Sequence, residues 1–330
     1  MTTNILPVHF EHPLSADERT HLIAALEPDV AVTEGPALPD PAVYRVLVAG
    51  RPSRAALEAS PYLERVIIPW AGLPEETRLI MPDFPHISIH NLHHNAAPVA
   101  ELTLMLLLAA AKFTLRYDAA LRSGDWRIRY DRPGPSVLLE GRTALILGYG
   151  AIGRRVARAC RTLGMRVLAT RRQVEQPYVE EDAAIYPASA LPVLLPQANA
   201  LIICLPLTPE TDGLIGPAEL ALLPPKAVLV NIGRGRIVDE KALYEALQTG
   251  RLHAAGIDVW YSYPPDESSR AHHRPSAYPF HELDNIVMSP HRGGAADETA
   301  RLRMTALAEL LNAAAHGKPI PNRVDLNVGY

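Results

Sequence analysis

The 330-residue chain lacks the residue patterns that mark several classes of protein. Its only cysteines, Cys160 and Cys204, form no C-x-x-C pair and lie in apolar patterns, so they indicate core residues of a reduced protein rather than a disulfide framework. No serine lies in a G-x-S-x-G turn, and neither cysteine has an evident activating base. Nucleophilic catalysis therefore has little support.

The chain also has no large excess of charge and no apolar run long enough to cross a bilayer. Its formal net charge is -4, which favours neither nucleic acid nor an anionic membrane as a partner. The apolar run at residues 102–111 is about half the length that a bilayer needs, so we expect a buried helix, which a second subunit could share. The first ten residues lack the basic start and apolar core of a secretory signal, so we expect mature, cytoplasmic sequence.

Metal-binding spacings are missing as well. Four histidines cluster near the end of a predicted strand, but no cysteine and no H-E-x-x-H spacing accompanies them. We therefore expect no metal site, and we expect the pair His272 and His273 to lie in a solvated loop. The clustered histidines are His86, His90, His93 and His94.

A glycine-rich turn is the strongest functional signal that the chain does contain. It follows an apolar strand predicted at residues 143–147 and precedes a helix predicted at residues 154–163, which Gly164 ends. In this context the first glycine permits a tight turn, the second lets the backbone approach phosphate, and the third lets helix and strand pack closely. The sequence therefore predicts a dinucleotide pyrophosphate at the helix N-terminus, bound by Gly148, Tyr149, Gly150, Ala151, Ile152 and Gly153.

The end of the next predicted strand indicates which dinucleotide binds. Residues 166–170 form that strand, and its last residue, Thr170, is followed by Arg171 and Arg172 rather than by an acidic residue. A carboxylate there would accept hydrogen bonds from the adenosine ribose, whereas two guanidinium groups fit a 2′-phosphate better. We therefore expect NADP(H) as the preferred cofactor and NAD(H) as the alternative.

Alternating strands and helices on both sides of the glycine turn predict an α/β protein with two doubly wound sheets. Before the turn we predict strands at residues 5–8, 44–48, 65–68 and 87–90, and helices at 16–26 and 54–59. After it we predict strands at residues 200–205, 227–232, 255–259 and 286–289, and a helix at 239–249.

The length of the chain favours two domains rather than one. We place the boundary near residues 95–100, where a long helix at 99–121 is predicted to begin. A last amphipathic helix at residues 297–315, if it returns to the first domain, would make the chain cross a cleft twice and allow that cleft to close. We therefore expect a substrate domain at residues 1–96 and 292–330 and a dinucleotide-binding domain at residues 97–291.

Three segments that end predicted strands of the second domain carry chemically capable side chains. They are residues 231–235, 256–260 and 289–294, and ligands bind at the carboxyl ends of strands in such sheets. With their spacing from the glycine turn, these segments closely resemble the D-isomer-specific 2-hydroxyacid dehydrogenase family, from Asn95 to Gly294. The resemblance implies a Rossmann domain, a flavodoxin-like substrate domain, a homodimer, and NAD(P)-dependent reduction of a small 2-keto acid such as glyoxylate or hydroxypyruvate.

The resemblance also implies roles for particular residues. Arg234 resembles the arginine that clamps the substrate carboxylate, for which a planar fork is suited. His291 resembles the acid/base that protonates the keto oxygen as hydride arrives at carbon. Asp258 is similar to an aspartate near the nicotinamide. The further cofactor contacts that the resemblance implies are Leu205, Pro206, Ile232, Gly233, His291 and Gly293.

For the substrate, the resemblance points to two segments before the glycine turn. Ala71 and Gly72 occupy the position of the family loop whose backbone amides hold the substrate carboxylate. Asn95 matches a position that faces the cleft in the family. We therefore expect these three residues, together with Arg234, to bind the substrate.

The chain departs from the family at the position that normally holds a glutamate paired with the catalytic histidine. Tyr263, followed by Pro264, stands there. A phenol can orient the imidazole of His291 but adds no negative charge, so we expect the imidazolium to be less favoured than in relatives that have glutamate. Other carboxylates in this loop could partner the histidine instead, namely Asp266, Glu267, Glu282 and Asp284.

This departure keeps alternative functions open. Formate dehydrogenases of the same superfamily carry a neutral glutamine at this position and share the Asp-Val-Trp sequence seen at residues 258–260, and phosphite dehydrogenase is a further relative. A dinucleotide-sensing protein similar to a corepressor is the alternative that is not an enzyme. The presence of both Arg234 and His291 argues against the sensor.

Overall fold

The computed structural model of the chain describes residues 5–131 and 134–326. The chain divides into two compact units, one made of Met1–Asn95 with Ala295–Tyr330 and the other of Ala96–Gly294. The helices are α1 (Ala16–Ala25), α2 (Arg54–Ala59), α3 (Glu75–Ile80), α4 (Ala96–Lys112), α5 (Thr114–Arg122), α6 (Ala151–Thr162), α7 (Leu191–Leu194), α8 (Pro217–Leu222), α9 (Glu240–Gln248) and α10 (Thr299–Ala315). The strands are β1 (Leu6–Phe10), β2 (Val30–Glu34), β3 (Val46–Val48), β4 (Arg65–Ile68), β5 (Ser88–Asn91), β6 (Thr143–Leu147), β7 (Arg166–Arg171), β8 (Tyr178–Glu180), β9 (Ala183–Pro187), β10 (Ala200–Ile203), β11 (Val228–Asn231), β12 (Ala254–Ile257) and β13 (Ile286–Met288).

The first unit is a parallel five-stranded sheet in the order β2-β1-β3-β4-β5, which is the flavodoxin-like strand order. Its helix α1 begins with a capping box, in which the Ser15 hydroxyl accepts from the Glu18 N–H and the Glu18 carboxylate accepts from the Ser15 N–H. Helix α10 belongs to this unit and is fastened to α1. An ion pair joins Arg303 to Glu18, and the Asn312 amide donates to the Ala25 carbonyl over 3.0 Å.

The second unit is an eight-stranded sheet in the order β13-β12-β11-β10-β6-β7-β9-β8. Every pairing in it is parallel except that of β8 with β9. Its central strands β6, β10 and β11 are apolar except at Thr143 and Asn231, as expected for strands with helices on both faces of the sheet. On β6, Ala144 and Ile146 pack with residues of α4 and α6, whereas Leu145 and Leu147 pack in the opposite core with residues of α8 and α9. The predicted class, α/β with two doubly wound sheets, is confirmed.

The single helix predicted at residues 99–121 is wrong. The chain turns at Phe113, whose φ of 55° lies in the left-handed region, and helices α4 and α5 meet at 68°. A left-handed residue cannot continue a right-handed helix, and the sequence pattern missed the break because Phe113 fits the apolar spacing. Its ring is buried, so tertiary packing stabilises a backbone conformation that phenylalanine rarely adopts.

No single helix within the described ranges is both long and apolar enough to cross a bilayer. Helices α4 and α5 reach that length and apolarity only when they are taken together as a bent pair.

Candidate active site

The glycine turn between β6 and α6 is tightly packed on one side and open on the other. Gly148 has a φ of +96°, which favours glycine, and a Cβ on Gly153 would lie 2.1 Å from the Gly148 carbonyl oxygen. A Cβ on Gly150, by contrast, would meet no atom within 4 Å. Gly150 caps the N-terminus of α6 at the point where the strand order reverses between β6 and β10. The turn therefore has the space and the free N–H groups that a pyrophosphate needs.

Two guanidinium groups stand at the carboxyl end of β7, next to this turn. The carbonyl of buried Thr170 accepts from the N–H of Tyr149 over 3.0 Å, which ties the strand end to the glycine turn. Arg171 and Arg172 follow on the surface. The Arg171 guanidinium donates to the Tyr178 hydroxyl over 3.4 Å, and the Arg172 charge contributes to lowering the pKa of Glu210. The strand end thus presents positive charge rather than a carboxylate.

The loop after β11 presents Arg234. The side chain of Asn231 shapes this loop, because its Oδ1 accepts from the Gly233 N–H over 3.0 Å and its Nδ2 donates to the Arg234 carbonyl over 2.9 Å. The exposed Arg234 guanidinium donates to the Gly233 carbonyl over 2.7 Å. Among the residues that the structure describes, it forms no ion pair. A planar fork without a counter-ion is suited to bind a carboxylate on two N–H groups.

Asp258 fastens the loop after β13. This residue is 2% exposed. Its Oδ1 accepts from the Ser289 hydroxyl over 2.5 Å and from the Arg292 N–H over 2.8 Å. Its Oδ2 accepts from the Gly293 N–H over 2.9 Å. A buried carboxylate is stable only with such donors. The loop that it holds includes His291, whose φ of 59° lies in the left-handed region. Asp258 therefore acts on His291 through the backbone, and its predicted contact with the cofactor stays a prediction.

Tyr263 is the hydrogen-bond partner of His291. Its hydroxyl lies 3.0 Å from Nδ1 of the imidazole and accepts from the Trp260 N–H over 3.1 Å. The indole of Trp260 donates to the Ser289 carbonyl over 2.8 Å, which links the two loops again. In the described part of the chain no carboxylate hydrogen-bonds to the imidazole. Two of the acidic residues considered as partners are engaged elsewhere, since Asp266 accepts from Ser268 and Ser269 and Glu267 pairs with Arg270.

Burial disfavours the ionised forms of both rings. Desolvation and the positive charge of Arg234 lower the pKa of His291, against the opposing effect of Asp258. Burial raises the pKa of Tyr263, although the Trp260 N–H and Arg234 oppose it. The positive charge of Arg234 thus lowers the pKa of both groups. The structure thus gathers these side chains at the carboxyl edge of β11, β12 and β13.

In the first unit, the loop that contains Ala71 and Gly72 is fixed to the end of β5. The Asn91 amide donates to the Ala71 carbonyl over 2.7 Å, and the Leu92 N–H donates to the Trp70 carbonyl over 3.2 Å. Backbone N–H groups in a loop held this firmly can bind an anion without reordering. The substrate roles of Ala71, Gly72 and Asn95 stay predictions.

The clustered histidines differ in their surroundings, since His86 and His93 are exposed whereas His90 is buried. His90 hydrogen-bonds to the Pro321 carbonyl over 2.9 Å, and burial lowers the pKa of His94 to about 4. His273 lies 2.7 Å from the Ser262 hydroxyl. Within the described ranges, no three side chains of the ligating types gather as a metal site requires.

Three positioning residues escaped the sequence analysis as individual side chains. Asn231, Trp260 and Ser289 each hold a functional loop through one side chain. Their signal was their place at or just after strand ends that lead into the candidate site residues. Hydrogen bonds between loops far apart in the chain have no local pattern that would identify them.

Comparison with known proteins identifies a family and several relatives that the chain resembles. Residues 104–293 match the family described as "D-isomer specific 2-hydroxyacid dehydrogenase, NAD binding domain". The chain is 40% identical over 234 residues to a glyoxylate reductase of Aeropyrum pernix, covering 69% of this chain and 66% of that protein. It is 32% identical over 233 residues to a D-3-phosphoglycerate dehydrogenase of Methanocaldococcus jannaschii, covering 69% of this chain and 41% of that protein. The match therefore spans less than two thirds of each of these two relatives.

Solved structures resemble the chain over nearly its whole length. A D-isomer specific 2-hydroxyacid dehydrogenase from Xanthobacter autotrophicus Py2, in complex with NADPH and MES, has a TM-score of 0.77 at 26% identity and covers 99% of this chain and 100% of its own. An NADPH-dependent glyoxylate/hydroxypyruvate reductase from Sinorhizobium meliloti has a TM-score of 0.77 at 24% identity, over 98% of this chain and 100% of its own, and shows the shared fold. Together with the family match, these findings support a nicotinamide dinucleotide as the cofactor.

Proposed function

Because the chain belongs to the D-isomer-specific 2-hydroxyacid dehydrogenase family, we propose that it is an NADP(H)-dependent reductase of small 2-keto acids, with glyoxylate and hydroxypyruvate as the first substrates to test. One observation carries the proposal. In the described part of the chain, the sheet edge that bears the open glycine turn also bears a guanidinium that forms no ion pair, at Arg234, and an imidazole hydrogen-bonded to Tyr263, at His291. These are the groups that reduction of a keto acid requires.

The chain's own residues divide the chemistry among them. When bound, the reduced nicotinamide supplies the hydride that goes to the keto carbon. Arg234 binds the substrate carboxylate and polarises the keto group beside it. His291 gives the proton on Nε2 to the keto oxygen as the negative charge develops there. Asp258 keeps the imidazole in place because it holds the N–H groups of the two residues that follow His291.

The proposed preference for NADP(H) depends on Arg171 and Arg172. Two guanidinium groups at the end of β7 favour a 2′-phosphate, and the similar protein of X. autotrophicus was crystallised with NADPH. We expect Arg171→Asp to lower kcat/KM with NADPH by about 10- to 100-fold, equivalent to one charge-assisted hydrogen bond, with little loss with NADH. Arg301→Asp, an exposed arginine of the first unit, is the control. An unchanged ratio of the two cofactors in Arg171→Asp would contradict the assignment.

Further proposals concern the organisation of the protein. We assign substrate recognition to the first unit, with Ala71, Gly72 and Asn95 as contacts, and cofactor binding to the second. We also propose a homodimer to which residues 102–111 contribute, and a cytoplasmic location. Sedimentation of the purified protein tests the dimer, which a monomer at micromolar concentration would contradict.

A substrate screen tests the function itself. The purified protein is mixed with NADPH and glyoxylate, hydroxypyruvate or phenylpyruvate, and separately with NADP and formate or phosphite. We expect oxidation of NADPH by at least one keto acid and no reduction of NADP by formate or phosphite. Turnover of formate or phosphite alone would favour the alternative dehydrogenases, whereas tight cofactor binding without any turnover would favour a sensor.

A further inference from the structure

The hydroxyl of Tyr263 lies between two nitrogen atoms that need different partners. The Trp260 N–H can only donate, and it donates to the hydroxyl oxygen over 3.1 Å. The hydroxyl proton is therefore free for Nδ1 of His291, which lies 3.0 Å away. Among the residues that the structure describes, Nδ1 is the only acceptor within hydrogen-bond distance of this hydroxyl. Hydrogen-bond complementarity thus has Tyr263 donating to Nδ1.

We infer that Tyr263 is a positioning residue that holds the proton of the neutral imidazole of His291 on Nε2, the nitrogen that faces away from the tyrosine. A carboxylate in the same place would have the opposite effect, because it can only accept and so requires a proton on Nδ1. The substitution of tyrosine for glutamate therefore reverses the direction of this hydrogen bond. The inference deepens the proposed function, and only its kinetic consequences depend on that function.

The same hydroxyl can serve both charge states of His291. When the imidazolium forms, its Nδ1–H donates to the tyrosine oxygen, which has a second lone pair, and the O–H turns to solvent. During reduction one hydride reaches carbon and one proton leaves Nε2 for the keto oxygen, so the cation becomes a neutral ring with its proton on Nδ1. Proton exchange with water and rotation of the O–H then restore the resting form. Tyr263 stays protonated throughout.

Without a carboxylate partner, the imidazolium has little electrostatic support. The charged groups that affect His291 are Arg234, which lowers its pKa, and Asp258, which raises it, while desolvation lowers it further. Reduction requires the imidazolium and should therefore decline as pH rises through a pKa that lies below the ordinary histidine value. A glutamate at position 263 would move that decline to higher pH.

The kinetic test measures kcat/KM against pH for reduction of glyoxylate with NADPH. In Tyr263→Glu we expect the midpoint of the decline to rise by about 1–3 pH units, the usual effect of an adjacent opposite charge. In Tyr263→Phe we expect kcat to fall by about 10-fold because the ring loses its orientation, with a smaller change in KM and no rise in the midpoint. Tyr261→Phe is the control and should behave as wild type. It removes a tyrosine hydroxyl from the same loop, one that donates to the Val238 carbonyl rather than to His291. Identical midpoints for wild type and Tyr263→Glu would overturn the inference.

Nitrogen-15 NMR of the histidine rings tests the tautomer without any turnover. His291→Gln identifies the signal of His291 by its loss. In the neutral wild-type protein we expect a protonated Nε2 and an unprotonated Nδ1, and the reverse in Tyr263→Glu. A wild-type imidazole with its proton on Nδ1 would overturn the inference even if keto acids are reduced. If no keto acid is reduced, the proposed function fails while the NMR result still decides the inference.

Discussion

Two alanine substitutions in the glycine turn separate its structural role from its binding role. At Gly153 an added Cβ would lie 2.1 Å from the Gly148 carbonyl oxygen, whereas ordinary contact begins near 3.4 Å. At Gly150 an added Cβ would meet no atom within 4 Å, and its φ of -100° and ψ of -155° suit alanine as well as glycine. One added methyl group should therefore damage packing at Gly153 and ligand binding at Gly150.

The geometry gives the expected magnitudes. Gly153→Ala must move helix α6 away from β6 by more than about 1 Å, and overpacking of this kind costs about 1–3 kcal/mol. For a unit of this size that corresponds to a fall in Tm of roughly 2–12 °C. Gly150→Ala should change stability by less than about 1 kcal/mol. Its methyl group would instead displace the pyrophosphate from backbone N–H groups, and loss of one such bond costs about 1.5–3 kcal/mol, or roughly 10- to 150-fold in Kd.

Thermal unfolding with and without NADPH measures both effects in one assay. Gly216→Ala is the matched control, because Gly216 also caps a helix with an extended backbone. An added Cβ there would lie 3.3 Å from the Glu219 carboxylate, at the end of a side chain that can shift, and 4.0 Å from the Gly213 carbonyl oxygen, which is an ordinary contact distance. We expect normal Tm and weak NADPH binding in Gly150→Ala, lowered Tm in Gly153→Ala, and neither change in the control. If Gly150→Ala binds NADPH as tightly as wild type, this turn does not hold the pyrophosphate.

Two further predictions concern charged groups. Asp258→Asn should leave the Gly293 N–H facing an amide N–H, which costs about 1–3 kcal/mol, so we expect a lower Tm. Because the negative charge of Asp258 raises the pKa of His291, we also expect a lower pKa of His291 in the pH profile of the variant. An unchanged Tm would show that Asp258 does not fasten the loop. Burial lowers the pKa of His94 to about 4 from 6.5, so as pH falls below 6.5 the unfolded chain takes up a proton that the folded chain does not, and stability is lost by pH 4. Solvent screening of this half-buried ring keeps the loss below about 3 kcal/mol. Urea unfolding of wild type and His94→Gln at neutral and acidic pH measures this loss, which should be smaller in the variant; equal losses would contradict it.

Much of the fold was predictable because its elements carry strong local patterns. Strand β6 is a buried apolar run, and the turn that follows it has a backbone geometry that favours glycine; both lie where they were predicted. Strands β2, β8 and β9 and helices α3, α7 and α8 were missed. Strand β2 is a half-exposed edge strand and β8 is exposed, so neither has the apolar run of a buried strand.

The chemistry of the candidate site was predictable in its residue types but not in its hydrogen bonds. Arg234 and His291 follow strand ends, and the common edge of a parallel sheet brings such ends together whatever the loops do. The sequence left open whether Tyr263 or a nearby carboxylate partners His291, because that depends on how a loop of more than twenty residues folds back. In the structure the partner is Tyr263, because the backbone N–H of Trp260 donates to its hydroxyl and holds it beside the imidazole.

Transfer of deuterium from the cofactor tests the central claim most directly. NADPH carrying deuterium on the transferable position of the nicotinamide is incubated with hydroxypyruvate and wild-type protein, and with Arg234→Gln and His291→Gln as controls. We predict D-glycerate with deuterium on carbon 2 from wild type and almost none from either variant. Hydroxy acid formed without deuterium, or no hydroxy acid from any 2-keto acid supplied, would contradict the account.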